Sequence, residues 1–177
     1  MRPPGFWNRP EPTLAARLLT PLAAIYGAVA ASRMKRPGAH AGVRVVCVGN
    51  FTMGGTGKTP AALAIAKELI EKRERVAFLS RGYGGSLSGR RPVQVDPAAH
   101  AASEVGDEPL LLARLAPTII CADRLEGALA ARRLGASVVV MDDGLQNPAL
   151  AKDERIAVVD GPIGLGGQLY RHGAARR

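Results

Sequence analysis

Apolar residues in the middle of this chain come in short, β-branched runs: Val43–Gly49, Val76–Ser80, Pro117–Cys121, Ser137–Met141 and Ile156–Val159. Within each run they occupy consecutive rather than alternate positions, which predicts strands buried on both faces. A weaker run, Pro92–Val95, predicts a short strand inside the glycine-, proline- and alanine-rich stretch from Ser86 to Ser103. Between the runs the period changes. In Thr59–Arg73, Ala62, Ile65, Ala66 and Leu69 recur on one helical face, and Pro109–Leu115 and Arg124–Leu134 predict two further helices. Alternating strands and helices predict an α/β fold with a mostly parallel sheet covered by helices on both faces. In such sheets ligands bind beyond the carboxyl ends of the strands. The polar clusters Asn50–Thr59, Arg81–Gly85, Asp123-Arg124 and Asp142-Asp143 all fall at those ends.

The first strand runs directly into Phe51-Thr-Met-Gly-Gly-Thr-Gly-Lys-Thr-Pro60. Glycines let a backbone curl until several N–H groups face one point, and the helix that follows adds its positive end. That is an anion cradle suited to the phosphates of ATP, with Lys58 for the β- and γ-phosphates and the Thr59 hydroxyl for Mg²⁺. The expected fold is therefore of the P-loop NTPase type. The simplest such loop has glycine where this chain has Thr52. The form here, x-G-G-x-G-K-T, is closer to the partitioning-ATPase variant, in which a lysine stands at the position of Met53. The residues expected to bind nucleotide are Thr52, Met53, Gly54, Gly55, Thr56, Gly57, Lys58 and Thr59.

Three further groups carry candidate chemistry. Val138–Met141 ends in Asp142-Asp143, where a P-loop enzyme places a carboxylate on its metal; adjacent side chains diverge, so one of the pair faces the ion. Gly106-Asp107-Glu108-Pro109 opens a helix and reads either as a cap with proline at the first helical position or as a base aimed at the phosphate rim. Asp123 is an ordinary helix cap, and Arg124 is either a phosphate clamp or an exposed helix arginine. In Arg81-Gly-Tyr-Gly-Gly85 the glycines allow close approach to a ligand, and Tyr83 can pack on a sugar or base.

At 177 residues the chain is long enough to bury the core of one α/β domain. The net charge of +9 sits at the ends: residues 1–44 hold seven basic residues against one acid, and Arg171, Arg176 and Arg177 follow Asp160 without an acid. A neutral middle argues against a nucleic-acid partner. Cys47 and Cys121 fall in buried strands and read as core residues in a reducing compartment. Thr13–Ser32 is alanine- and leucine-rich, but Arg17 and Pro21 interrupt it. It reads as a helix in an anionic membrane interface with Phe6, Trp7 and Tyr26 as anchors, as a helix packed on the core, or as a signal segment with Ala28-Val29-Ala30 at its cleavage site. The interfacial reading divides the chain into a membrane-associated amphipathic helix and linker, 1–42, and a nucleotide-binding lobe, 43–177.

Taken in order, Val48–Pro60, Ser80–Gly85, Val105–Leu112, Ala122–Arg124 and Met141-Asp-Asp-Gly-Leu-Gln146 resemble the tetraacyldisaccharide 4'-kinases of lipid A synthesis. The resemblance implies transfer of the γ-phosphate of ATP, with Mg²⁺, to the 4'-hydroxyl of an acylated glucosamine disaccharide 1-phosphate at the cytoplasmic face of the inner membrane. It implies Asp107 as the catalytic aspartate, Lys58 and Arg124 on phosphate, and Thr59, Asp142, Asp143 and Glu108 around the metal. Two features depart from the family. Asn147 stands where the family commonly has histidine, and the family's aspartate works with a histidine from a second lobe that these 177 residues do not contain. Two other expectations remain beside the kinase: a membrane-associated switch ATPase, and a nucleotide-binding remnant without turnover.

Overall fold

The computed structural model describes residues 38–50 and 57–159, with isolated positions 21, 27 and 32. The expected helix in 13–32, loop residues 51–56 and the segment 160–177 therefore lie outside the described residues, apart from those three positions. Ten elements follow one another: β1 (Arg44–Gly49), α1 (Lys58–Glu71), β2 (Val76–Ser80), β3 (Val93–Gln94), α2 (Ala102–Val105), α3 (Asp107–Ala113), β4 (Thr118–Ile120), α4 (Arg124–Arg133), β5 (Val138–Asp142) and β6 (Glu154–Ala157). They build a six-stranded sheet in the order β3-β4-β2-β5-β1-β6. All pairings are parallel except β3 with β4. The strands and helices predicted within the described residues are present. The last strand starts two residues earlier than Ile156, and α2 occupies a stretch whose composition had suggested only loop and a short strand.

Strand periodicity sorts the core into two layers. Val48, Val76, Phe78 and Val140 face α1 and α3, where they meet Ala62, Ala66 and Leu112. Val45, Cys47, Ala77, Leu79, Val139 and Met141 face the other way, onto Ala128 and Ala131 of α4. Helices on opposite faces of one parallel sheet explain why β1, β2 and β5 are apolar at successive positions.

The small residues of α4 set how closely it approaches the sheet. A Cβ at Gly127 would run into Leu79 Cδ1 and lie 3.0 Å from Cys121 Cβ. Leu79 is fully buried and has no room to withdraw. Gly127→Val is therefore expected to cost about 1–3 kcal/mol through overpacking, measured as a lower urea midpoint at unchanged m-value.

Candidate active site

All strands but β3 run in one direction, so their carboxyl ends share a rim. Two independent periodicities meet there. On α1, Thr59, Ala62 and Ala66 are buried on one face, which turns the Thr59 hydroxyl toward the sheet. On β5, Asp142 lies two residues beyond Val140 and so shares its face, the one that packs against α1. The Thr59 hydroxyl donates to Asp142 Oδ2 at 3.2 Å. Asp142 is 2 % exposed, and its Oδ1 is buried with no partner among the described residues. Burial pushes the Asp142 carboxyl up to about 6, the Glu108 charge adds to the rise, and the Thr59 hydroxyl opposes it. A buried, half-satisfied carboxylate beside a hydroxyl is a donor set for a hard cation.

Lys58 stands one residue before Thr59, at the start of α1 behind Gly57, whose φ of 75° is left-handed. Its ammonium donates to Asn50 Oδ1 at 3.1 Å and lies 3.8 Å from Asp143 Oδ2. Asp143 has a φ of 60° and donates its backbone N–H to Val48 O at 2.9 Å. The turn thus sends the two acids apart: Asp142 inward to Thr59, Asp143 outward to Lys58. Among the described residues no three Asp, Glu, His or Cys side chains form a metal cage. The residues instead fit Mg²⁺ as it is commonly held beside a nucleotide, by one or two carboxylates together with phosphate oxygens.

Of the two expectations for Arg124, the exposed helix arginine is corrected. It is 4 % exposed, and its guanidinium donates to Cys121 O and Asp143 O, each at 3.1 Å. It ties the end of β4 to the turn carrying Asp143, and burial lowers its pKa. Asp123 caps α4 as expected, accepting from Leu125 N and Glu126 N.

The capping reading of Asp107 and Glu108 is corrected. Helix α3 begins at Asp107 itself, and its N-cap is Gly106, with no side-chain cap. Pro109 occupies the third helical position, not the first. Gly106 has a φ of 92°, and a Cβ there would lie 3.0 Å from Tyr83 O. Left-handed backbone and close approach together require glycine at this step. Both acids are left exposed at the rim. Asp107 thus adjoins the Gly82-Tyr83 turn on the α1 side of the sheet.

Of the residues expected to bind nucleotide or metal, the structure brings Lys58, Thr59, Asp142 and Asp143 into direct contact, with Glu108 near enough to act on Asp142. Thr52, Met53, Gly54, Gly55 and Thr56 lie outside the described residues. Asn50 is the site residue that the sequence reading left unassigned. Its signal was its place, immediately after β1 and eight residues before the lysine.

A parallel sheet, a β1–loop–α1 unit ending in Gly57-Lys58-Thr59, and an acid at the end of the neighbouring strand define a P-loop nucleotide-binding domain of the phosphoryl-transfer type. The family model described as LpxK, tetraacyldisaccharide-1-P 4'-kinase, matches residues 15–173. The tetraacyldisaccharide 4'-kinase of Methylobacterium radiotolerans is 64 % identical over 169 residues, covering 96 % of this chain and 51 % of that protein. Its counterpart in Rhodopseudomonas palustris strain BisB18 is 60 % identical over 94 % of this chain and 48 % of its own length. The crystal structure of LpxK from Aquifex aeolicus, described as an "apo" form in complex with ATP, superposes with a TM-score of 0.67 at 30 % identity, over 80 % of this chain and 48 % of that one. The chain belongs to the tetraacyldisaccharide-1-P 4'-kinase family, and it spans about half the length of the curated relatives it matches.

Proposed function

We propose that this chain is the nucleotide-binding half of a kinase that transfers the γ-phosphate of ATP to the 4'-hydroxyl of an acylated disaccharide 1-phosphate. The observation that carries the reading is the paired contact Lys58–Asp143 and Thr59–Asp142 at the mouth of the glycine-rich loop, in a chain of this family.

The residues divide the work. The Lys58 ammonium moves from Asn50 and Asp143 onto the phosphate tail, where a fixed cation offsets developing charge. Thr59 and Asp142 would hold Mg²⁺, which when bound neutralises phosphate charge and orients the transferred group. Asp107, exposed at the rim, accepts the proton of the acceptor hydroxyl. Arg124, which donates to two carbonyls, holds the Asp142-Asp143 turn in shape and keeps further N–H donors for the phosphate rim. We place the reaction at the cytoplasmic face of the inner membrane, with the basic, apolar N-terminal segment on an anionic lipid surface. An acceptor with four acyl chains supports that placement, because it resides in a bilayer. Among the described residues no helix is long and apolar enough to cross a membrane.

Transfer of radiolabelled phosphate from ATP to the disaccharide lipid, run on these 177 residues and on a full-length relative, tests the proposal. Asp107→Asn, placed in the full-length relative at the matching position, should cut turnover by about 10²–10⁴-fold, the usual size of a lost general base. In this chain the same change should leave ATP-dependent thermal stabilisation intact. Full turnover in the Asn variant would remove Asp107 from the mechanism.

A further inference from the structure

Between Arg81 and Arg91 the chain carries three arginines and one tyrosine and no acid; the next acid is Asp96. The side chains of Arg81, Arg90 and Arg91 are exposed and have no hydrogen bond or ion pair among the described residues. Three guanidinium groups without counter-charge on one loop are an anion site in waiting, because each offers a planar fork of N–H donors.

The loop is held in place rather than free. Ser86 N and Leu87 N donate to Ser103 O and Glu104 O at 3.0 and 2.8 Å, and the Ser88 hydroxyl donates to Arg81 O at 2.8 Å. At its far end Ala122 N donates to Gly89 O at 2.7 Å and the Cys121 thiol to Arg90 O at 3.1 Å. The loop therefore starts at the end of β2, passes beside Gly106 and Asp107, and ends over the carboxyl end of β4. Asp107, which the loop passes, makes no ion pair with it among the described residues, and two further acids are engaged elsewhere. Asp123 is committed to capping α4, and Glu104 accepts from Ala101 N.

The sheet order sets the scale. From β1, where the nucleotide loop begins, the strands run β5, β2, β4. Three strand spacings are about 14 Å, comparable with the length of two linked sugar rings. Arg81 lies at the near end, close enough for its charge to act on Arg124; Arg90 and Arg91 lie at the far end. An acceptor whose hydroxyl meets the phosphate tail at the β1 and β5 end, with its chain running past Asp107, would reach the far end with its other terminus, and the family name places a phosphate at position 1 of the disaccharide.

We infer that Arg90 and Arg91 form the subsite for the acceptor's sugar 1-phosphate, making them specificity residues for a phosphorylated over an unphosphorylated glycolipid. This rests on the kinase reading above.

The test uses the 177-residue chain and two probes in neutral detergent micelles: tetraacyl disaccharide 1-phosphate and the same lipid without its phosphate. Wild type should bind the phosphorylated lipid roughly tenfold more tightly, the worth of one charge-assisted contact set. Arg90→Ala/Arg91→Ala should erase that preference while leaving affinity for the unphosphorylated lipid and ATP-dependent stabilisation unchanged. Arg90→Lys/Arg91→Lys should keep part of it. A preference that survives in the alanine variant overturns the inference. So does equal binding of both lipids by wild type, which leaves the kinase reading standing. Binding of neither lipid overturns the inference together with the acceptor reading beneath it. If the alanine variant loses affinity for phosphatidylglycerol vesicles while wild type shows no preference for the phosphorylated sugar, the loop is a general anionic-surface patch and the inference fails.

Discussion

Lys58→Ala is expected to remove about half or more of the thermal stabilisation that ATP confers on this chain. A hydrogen bond to a charged partner is worth about 1.5–3 kcal/mol, so its loss weakens ATP binding by roughly 10- to 100-fold. At ATP one hundred times the wild-type Kd, ligand binding stabilises the wild type by about 2.7 kcal/mol. With binding 10- to 100-fold weaker, the same ATP concentration contributes about 1.4 down to about 0.4 kcal/mol. The variant itself should fold normally. The side chains of Lys58 and Asp143 are 20 % and 58 % exposed at 3.8 Å, a pairing that contributes little to stability. Differential scanning fluorimetry with and without Mg²⁺-ATP reads both quantities at once. An ATP shift of wild-type size in the variant would sink the assignment of the loop.

The second large effect concerns Asp142, where function and stability oppose each other. Its pKa is raised from an ordinary 3.8 to about 6, chiefly by burial. A carboxyl with a raised folded pKa binds its proton more tightly when folded. Its contribution to stability is therefore full below about pH 4 and is lost as pH rises through about 6. At about 1.4 kcal/mol for each pKa unit, the interval between 3.8 and about 6 amounts to roughly 3 kcal/mol of destabilisation at neutral pH. Asp142→Asn removes that charge. In EDTA at pH 8 the variant should melt higher than the parent, by about 2–4 °C for each kcal/mol recovered. The advantage should vanish near pH 4, and the variant should lose the part of ATP stabilisation that depends on Mg²⁺. Parallel melting curves for parent and variant from pH 4 to 8 would show that Asp142 does not titrate in this range.

That tension is physically reasonable for a binding site. A cation ligand needs a lone pair that no protein donor has taken, and Asp142 Oδ1 has one among the described residues. Asp143, turned outward by its left-handed backbone, instead meets Lys58 near solvent. Two adjacent carboxylates thus have different environments, because a strand sends successive side chains to opposite sides and the turn reinforces the divergence.

Much of this was legible in the residues. β1, β2, β4 and β5 read as strands because short apolar runs without polar alternation, β-branched in all but β2, suit a sheet buried on both faces. Thr59 read as a site residue from its place behind Gly57-Lys58, and its burial followed from the spacing it shares with Ala62 and Ala66. Other features were not legible. The helical spacing around Arg124 is compatible with an exposed side chain; only the convergence of Cys121 O and Asp143 O gives the guanidinium a buried home. Pro109 suggested a helix start at itself, yet the helix starts at Asp107 behind Gly106, where the neighbouring Tyr83 carbonyl leaves no space for a side chain. Helix α2 is four residues long, too short to leave a periodic signature.

The chain alone therefore determined its local pieces: which segments extend, which coil, and where glycine, lysine, threonine and aspartate punctuate the strand ends. Those follow from short-range sterics and from the two side-chain periods. Tertiary structure decided the strand order, with β5 between β1 and β2, and so which punctuation marks meet. Asp142 lies 83 residues from Thr59 in sequence. Only crossover helices packing on opposite faces of one sheet bring that carboxylate and hydroxyl to hydrogen-bonding distance.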